Sequence, residues 1–75
     1  MPHILVKLYS GRTEQQKQRL AEELTRAAMA VLKLDNDAFS VAVEDIAPED
    51  WTEKVYKPDI LGNPARVLKK PGYTP

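Results

Sequence analysis

The sequence predicts an α/β (α+β) fold: one β-α-β subunit, with two parallel strands under a single long helix and a short C-terminal helical arm. Three observations carry this. Apolar residues alternate over residues 3–9 and again over 39–46, and apolar residues between these stretches recur at helical spacing. The third is length: 75 residues make a single domain, 1–75, that buries too little apolar surface to close a large core alone.

The first strand is HILVKLY, with Ile4, Val6 and Leu8 on one face and His3, Leu5, Lys7 and Tyr9 on the other. Ser10-Gly11-Arg12 interrupts the alternation. Thr13 followed three residues later by Gln16 has the form of a capping box, and Glu14 suits the positive end of a helix. Leu20, Leu24, Ala27, Ala28, Val31 and Leu32 then form an apolar stripe, opposite Gln18, Arg19, Glu22, Glu23 and Arg26. The helix should fade at Lys33 or Leu34, and Asp35-Asn36-Asp37 supplies the loop.

Phe39, Val41 and Val43 alternate with Ser40, Ala42 and Glu44, giving a second strand that ends near Ile46. Strand, long helix and strand form a βαβ unit, whose strands are expected to be parallel. The helix covers one sheet face. The other carries Leu5 and Tyr9 and needs a second layer, most simply from another copy of the chain.

Beyond Ala47, Pro48 fits a first helical position, and a short helix is expected through about Lys57, with Pro58 as its stop. Gly62, Pro64, Pro71 and Gly72 punctuate the remainder, which has room for one or two more turns at Ala65 to Lys69. This segment reads as a packing arm.

Eleven basic residues balance eleven acidic ones. No net field draws the chain to nucleic acid or to anionic lipid, so neither is an expected partner. There is no cysteine, and His3 is the only histidine. Neither disulfides nor a Cys/His zinc site is therefore expected, and association between chains is the remaining source of stability. The first residues lack a signal-peptide pattern and no apolar run approaches a membrane span, so the cytoplasm is the expected location.

Pro2 follows the initiator methionine and leads directly into the first strand. A small second residue favours removal of Met1, which would convert the ring nitrogen of Pro2 from a tertiary amide into a secondary amine able to take and give a proton. An α-amine titrates far closer to neutrality than a lysine. Apolar surroundings and a nearby cation would disfavour its charged form further.

Pro2 at the strand start, the turn and helix start GRTEQQK, the βαβ spacing and Trp51 shortly after the second strand together resemble the 4-oxalocrotonate tautomerase family. The similarity runs through roughly residues 2 to 51, and the ending KKPGY is similar to a bacterial subgroup with a longer C-terminal region. The resemblance implies a cofactor-independent keto–enol tautomerase, assembled as a dimer or as a hexamer of three dimers, with active sites near the subunit contacts. It assigns the general base to Pro2, binding of a substrate carboxylate or polarisation of a carbonyl to Arg12, and an aromatic pocket wall to Trp51. Where the oxalocrotonate enzyme has a second arginine, this chain has Ser40, which could hydrogen-bond a substrate oxygen.

A small enol or unsaturated 2-oxo acid with one carboxylate, such as phenylenolpyruvate, is the expected substrate. The longer C-terminal region favours the dimer. Two alternatives stay open: a related proline-dependent hydratase or decarboxylase, in which a cationic proline acts as an acid, and a non-catalytic oligomeric module. His3, beside the base but without an acidic neighbour in sequence, reads first as a structural or exposed strand residue.

Overall fold

Two strands lie side by side in a single parallel sheet in the computed structural model, which describes residues 1–75. Strand β1 is His3–Tyr9 and strand β2 is Ser40–Ile46. Their register runs from His3 opposite Ser40 to Tyr9 opposite Ile46. Both strands and their parallel pairing match the sequence expectation.

Helix α1, Glu14–Leu32, makes the crossover. Its start is held by the anticipated capping box: the Gln16 N–H donates to the Thr13 hydroxyl and the Thr13 N–H to the Gln16 side chain, each at 3.0 Å. Two orphan amides are thereby satisfied. Gly11, at φ 115°, makes the turn into this cap, a conformation that a side chain would strain. At the other end Lys33 adopts the left-handed conformation and its N–H closes on the Met29 carbonyl at 2.9 Å.

The ion pair between Lys17 and Asp45, 3.2 Å long, identifies the face that α1 covers. Asp45 shares that face with Val41 and Val43, and through the register with Ile4, Val6 and Leu8. The half-buried stripe of α1 is Lys17, Leu20, Ala21, Leu24, Thr25, Ala28 and Met29. It differs from the expected stripe at its end, because Ala27, Val31 and Leu32 are exposed. Nineteen helical residues extend about 28 Å, whereas seven strand residues extend roughly 23 Å. The last turn of α1 overhangs the sheet, so Val31 has no strand beneath it.

The second sheet face carries His3, Leu5, Lys7 and Tyr9 beside Ser40, Ala42, Glu44 and Ile46. Its covering begins within the chain itself, where the sequence pointed to a second copy. Pro48–Asp50 forms one tight turn with Pro48 at its first position, and Thr52–Leu61 then forms a wide helix. Val55 of this arm is buried, as is Ile46, and Asp59 pairs with Lys7 at 2.5 Å.

Pro58 does not stop the arm helix, which continues to Leu61. In an α-helix a proline ring collides with the carbonyl four residues back. Here the turns are π-type, as in the Gly62 N–H bond to the Lys57 carbonyl at 2.9 Å, and the extra residue per turn avoids that spacing. In place of the one or two turns expected at Ala65 to Lys69 there is a single turn over 64–66, closed on the Asn63 carbonyl by the N–H groups of Arg66 and Val67.

Ile46 and Val55 are the only buried residues of the chain, and Leu5 and Tyr9 each remain 51% exposed. Each strand also keeps one unpaired edge. So small a core leaves both the sheet and the overhanging helix end with apolar surface in water.

Candidate active site

Pro2 stands at the head of β1 and is half-buried. Its carbonyl accepts a hydrogen bond from the Ser40 N–H at 3.2 Å, so the first rung of the sheet holds the proline backbone in place. Met1, which precedes it, is fully exposed. Ser40 sits beside Pro2, but its hydroxyl is already engaged: a 2.6 Å hydrogen bond joins it to Nδ1 of His3.

Arg12 and Trp51 lie at the opposite end. The Ser10 N–H closes the sheet on the Ile46 carbonyl at 3.0 Å, Gly11 turns the chain, and Arg12 falls immediately before the Thr13 cap. Arg12 is exposed. None of the chain's ion pairs uses its guanidinium. Such a cation beside a helix N-terminus is chemically suited to a carboxylate or an enolate.

Trp51 closes the turn that follows β2, which brings it back to the last residue of β1. Its ring meets Tyr9 edge to face, with centroids 5.2 Å apart and planes at 75°. Its indole N–H donates to the hydroxyl of Tyr73 at 2.9 Å. Tyr73 in turn leans on Tyr56, with centroids 5.8 Å apart. Arg12 thus shares its end of the sheet with an aromatic cluster.

The four site candidates consequently fall into two pairs. Pro2 and Ser40 lie where the strands begin; Arg12 and Trp51 lie where they end. The separation is set by β1, seven residues long and so roughly 23 Å. A small acid cannot bridge it.

Two lysines between these elements are held by carboxylates. Lys7 has its pKa raised, chiefly by the hydrogen bond to Asp59, against some loss of solvation and with help from the charges of Asp59 and Glu44. Lys17 is raised likewise by hydrogen bonds to Glu14 and Asp45. Both act as anchors, the first of the arm to the sheet and the second of α1 to β2. No group of three or more His, Cys, Asp or Glu side chains is placed to hold a metal ion, and no helix is long and apolar enough to cross a membrane.

Sequence reading missed Tyr73 as a partner of Trp51 and Asp59 as a partner of Lys7. The contacts span 22 and 52 residues. The first joins an irregular tail to the start of the arm and the second a proline-containing helix to the sheet, and no hydrophobic period in those segments announces which residues face inward.

The family model described as Tautomerase enzyme matches residues 2–54. The chain is 52% identical over 73 residues to a "Probable tautomerase" of Xylella fastidiosa (strain 9a5c), covering 97% of this chain and 89% of that protein. It is 39% identical over 75 residues to "Tautomerase PptA" of Pectobacterium atrosepticum, covering 99% of each. Among solved structures it is similar to TomN, described as a 4-oxalocrotonate tautomerase homologue in the tomaymycin biosynthetic pathway. The TM-score is 0.65 at 42% identity, over 67% of this chain and 77% of that one.

Proposed function

This chain belongs to the 4-oxalocrotonate tautomerase family, whose members here are isomerases named tautomerase, and from that premise we propose that it interconverts enol and keto forms of a small monocarboxylic 2-oxo acid, with Pro2 as the general base. One observation carries the reading: the sheet fixes Pro2 through its carbonyl, while the acyl group on its ring nitrogen is the fully exposed Met1. Removal of Met1 turns that nitrogen into a positioned amine.

On phenylenolpyruvate the amine takes the proton of the enol hydroxyl, the electron pair moves through the double bond, and the proton is returned to the adjacent carbon to give the ketone. A group that serves as base and then acid works best with a pKa near the operating pH. An α-amine begins near that range, at about 7.7–8.0. Arg12 holds the carboxylate or the developing enolate, and Trp51 walls the pocket.

Because Pro2 and Arg12 stand at opposite ends of one sheet, a working site takes Pro2 from one protomer and Arg12 with Trp51 from another. Two-fold pairing of the exposed sheets supplies such a site twice, since antiparallel apposition sets the start of one β1 against the end of its partner. The exposed Leu5 and Tyr9 and the unpaired strand edges favour this association, and a dimer is the smallest assembly that achieves it.

The pH dependence of kcat/KM on phenylenolpyruvate, compared with the NMR titration of the Pro2 nitrogen, tests the base assignment. Activity should rise as the amine loses its proton, with a single shared midpoint. Activity that instead rises as the amine becomes cationic would replace this reading with acid chemistry of the hydratase or decarboxylase kind.

A further inference from the structure

We propose that Tyr73 is a positioning residue, which acts through Trp51 to hold the aromatic wall of the site in the orientation that binds substrate. The inference rests on the preceding assignment of Trp51 to the pocket. It goes beyond that assignment by giving the C-terminal tail a function.

Trp51 is held from two sides. Tyr9 meets the ring edge to face, which restrains its tilt without fixing its rotation. The Tyr73 hydroxyl accepts the indole N–H at 2.9 Å, and this directional bond fixes the remaining freedom. Tyr73 is itself supported, because its ring packs on Tyr56 of the arm helix. Tyr56 and Tyr73 also border a cavity of about 310 Å³ with Ile60, Val67 and Pro71, so the tail folds back over the arm.

Trp51 is half-buried and stands at the junction where the tight turn Pro48–Asp50 passes into the arm helix Thr52–Leu61, with its indole N–H bonded to the tail that carries Tyr73. Without a partner, its indole N–H would seek water and the ring would sample other rotamers. A wall that must be ordered anew at each binding event weakens binding while leaving the proton transfer at Pro2 unchanged. KM should therefore carry the effect, with kcat nearly constant.

The test uses Tyr73→Phe, which removes the acceptor and keeps the ring against Tyr56. Trp51 is the only tryptophan, so the protein has one indole N–H resonance. In Tyr73→Phe that resonance should shift and exchange faster with water, and KM for phenylenolpyruvate should rise about three- to tenfold. In a Trp51→Phe background, the same Tyr73→Phe change should add nothing further to KM. An unmoved indole resonance, an unchanged KM, or an equal further rise in the Trp51→Phe background would each overturn the proposal. A processed wild-type protein that turns over no enol would remove the tautomerase reading and this inference together. Normal wild-type turnover with an unresponsive Tyr73→Phe removes the inference alone.

Discussion

Ser40 and His3 face each other across the first rung of the sheet, joined by a 2.6 Å hydrogen bond between the serine hydroxyl and Nδ1 of the imidazole. On the family resemblance Ser40 stands in for a second arginine of the oxalocrotonate enzyme, and its uncharged hydroxyl already has a partner. A second carboxylate arriving there meets no fixed positive charge, and leaving it unpaired costs more than one neutral hydrogen bond returns. The protein should prefer a monoacid enol over a muconate-type dicarboxylate. Ser40→Arg should raise the ratio of kcat/KM for the dicarboxylate over the monoacid. A wild-type preference for the dicarboxylate, or no change in the ratio, would contradict the placement of Ser40 at the pocket.

Arg12 is exposed and free of ion pairs in the chain, so its removal should cost little stability. Its loss should instead be felt in catalysis. A charge-assisted hydrogen bond is worth about 1.5–3 kcal/mol, which corresponds to roughly tenfold to a hundredfold in kcat/KM. Arg12→Ala should impair an acidic enol more than its neutral ester, while thermal unfolding stays close to that of the wild type. Equal losses on acid and ester would mark Arg12 as structural.

Lys7 ties the arm to the sheet through Asp59, and its pKa is raised above the ordinary 10.5. A cation favoured in the folded state stabilises that state fully below its unfolded pKa, and the contribution disappears as pH rises through the folded value. Hydrogen exchange in the arm, Thr52–Leu61, should therefore accelerate above about pH 10.5. Lys7→Met removes the charge and keeps the stem. It should loosen the arm at neutral pH and flatten that alkaline dependence, while the Lys17 contact between α1 and β2 is untouched. An arm whose exchange is indifferent to Lys7→Met would show that Val55 and Trp51 hold it without the ion pair.

Much of this architecture is legible in the residues, because β1, α1 and β2 each obey one local period. Thr13 and Gln16 announce the helix start to the residue. The arm is less legible: Pro58 reads as a stop under α-helical rules, and a π-type helix escapes those rules. Val31 and Leu32 continue the apolar stripe in sequence, yet the short strands end beneath them. The site shows the same division. Pro2, Arg12, Ser40 and Trp51 can be named from the order of residues and the family resemblance, whereas their separation into two ends follows only from the length of β1. The Tyr73 hydroxyl under the Trp51 indole is a tertiary fact with no local signature.

The central claim is that a free Pro2 nitrogen does the chemistry, and two forms of the same chain differ only in whether that nitrogen carries Met1. The form lacking Met1 has a secondary amine at Pro2; the form retaining Met1 has an amide with no basicity. Both should be confirmed by intact mass and shown to unfold at similar temperatures, since Met1 is fully exposed. The measurement is steady-state ketonisation of phenylenolpyruvate by each. The processed form should turn the enol over and the Met1-retaining form should fall to the uncatalysed rate; equal turnover by the two would contradict the account.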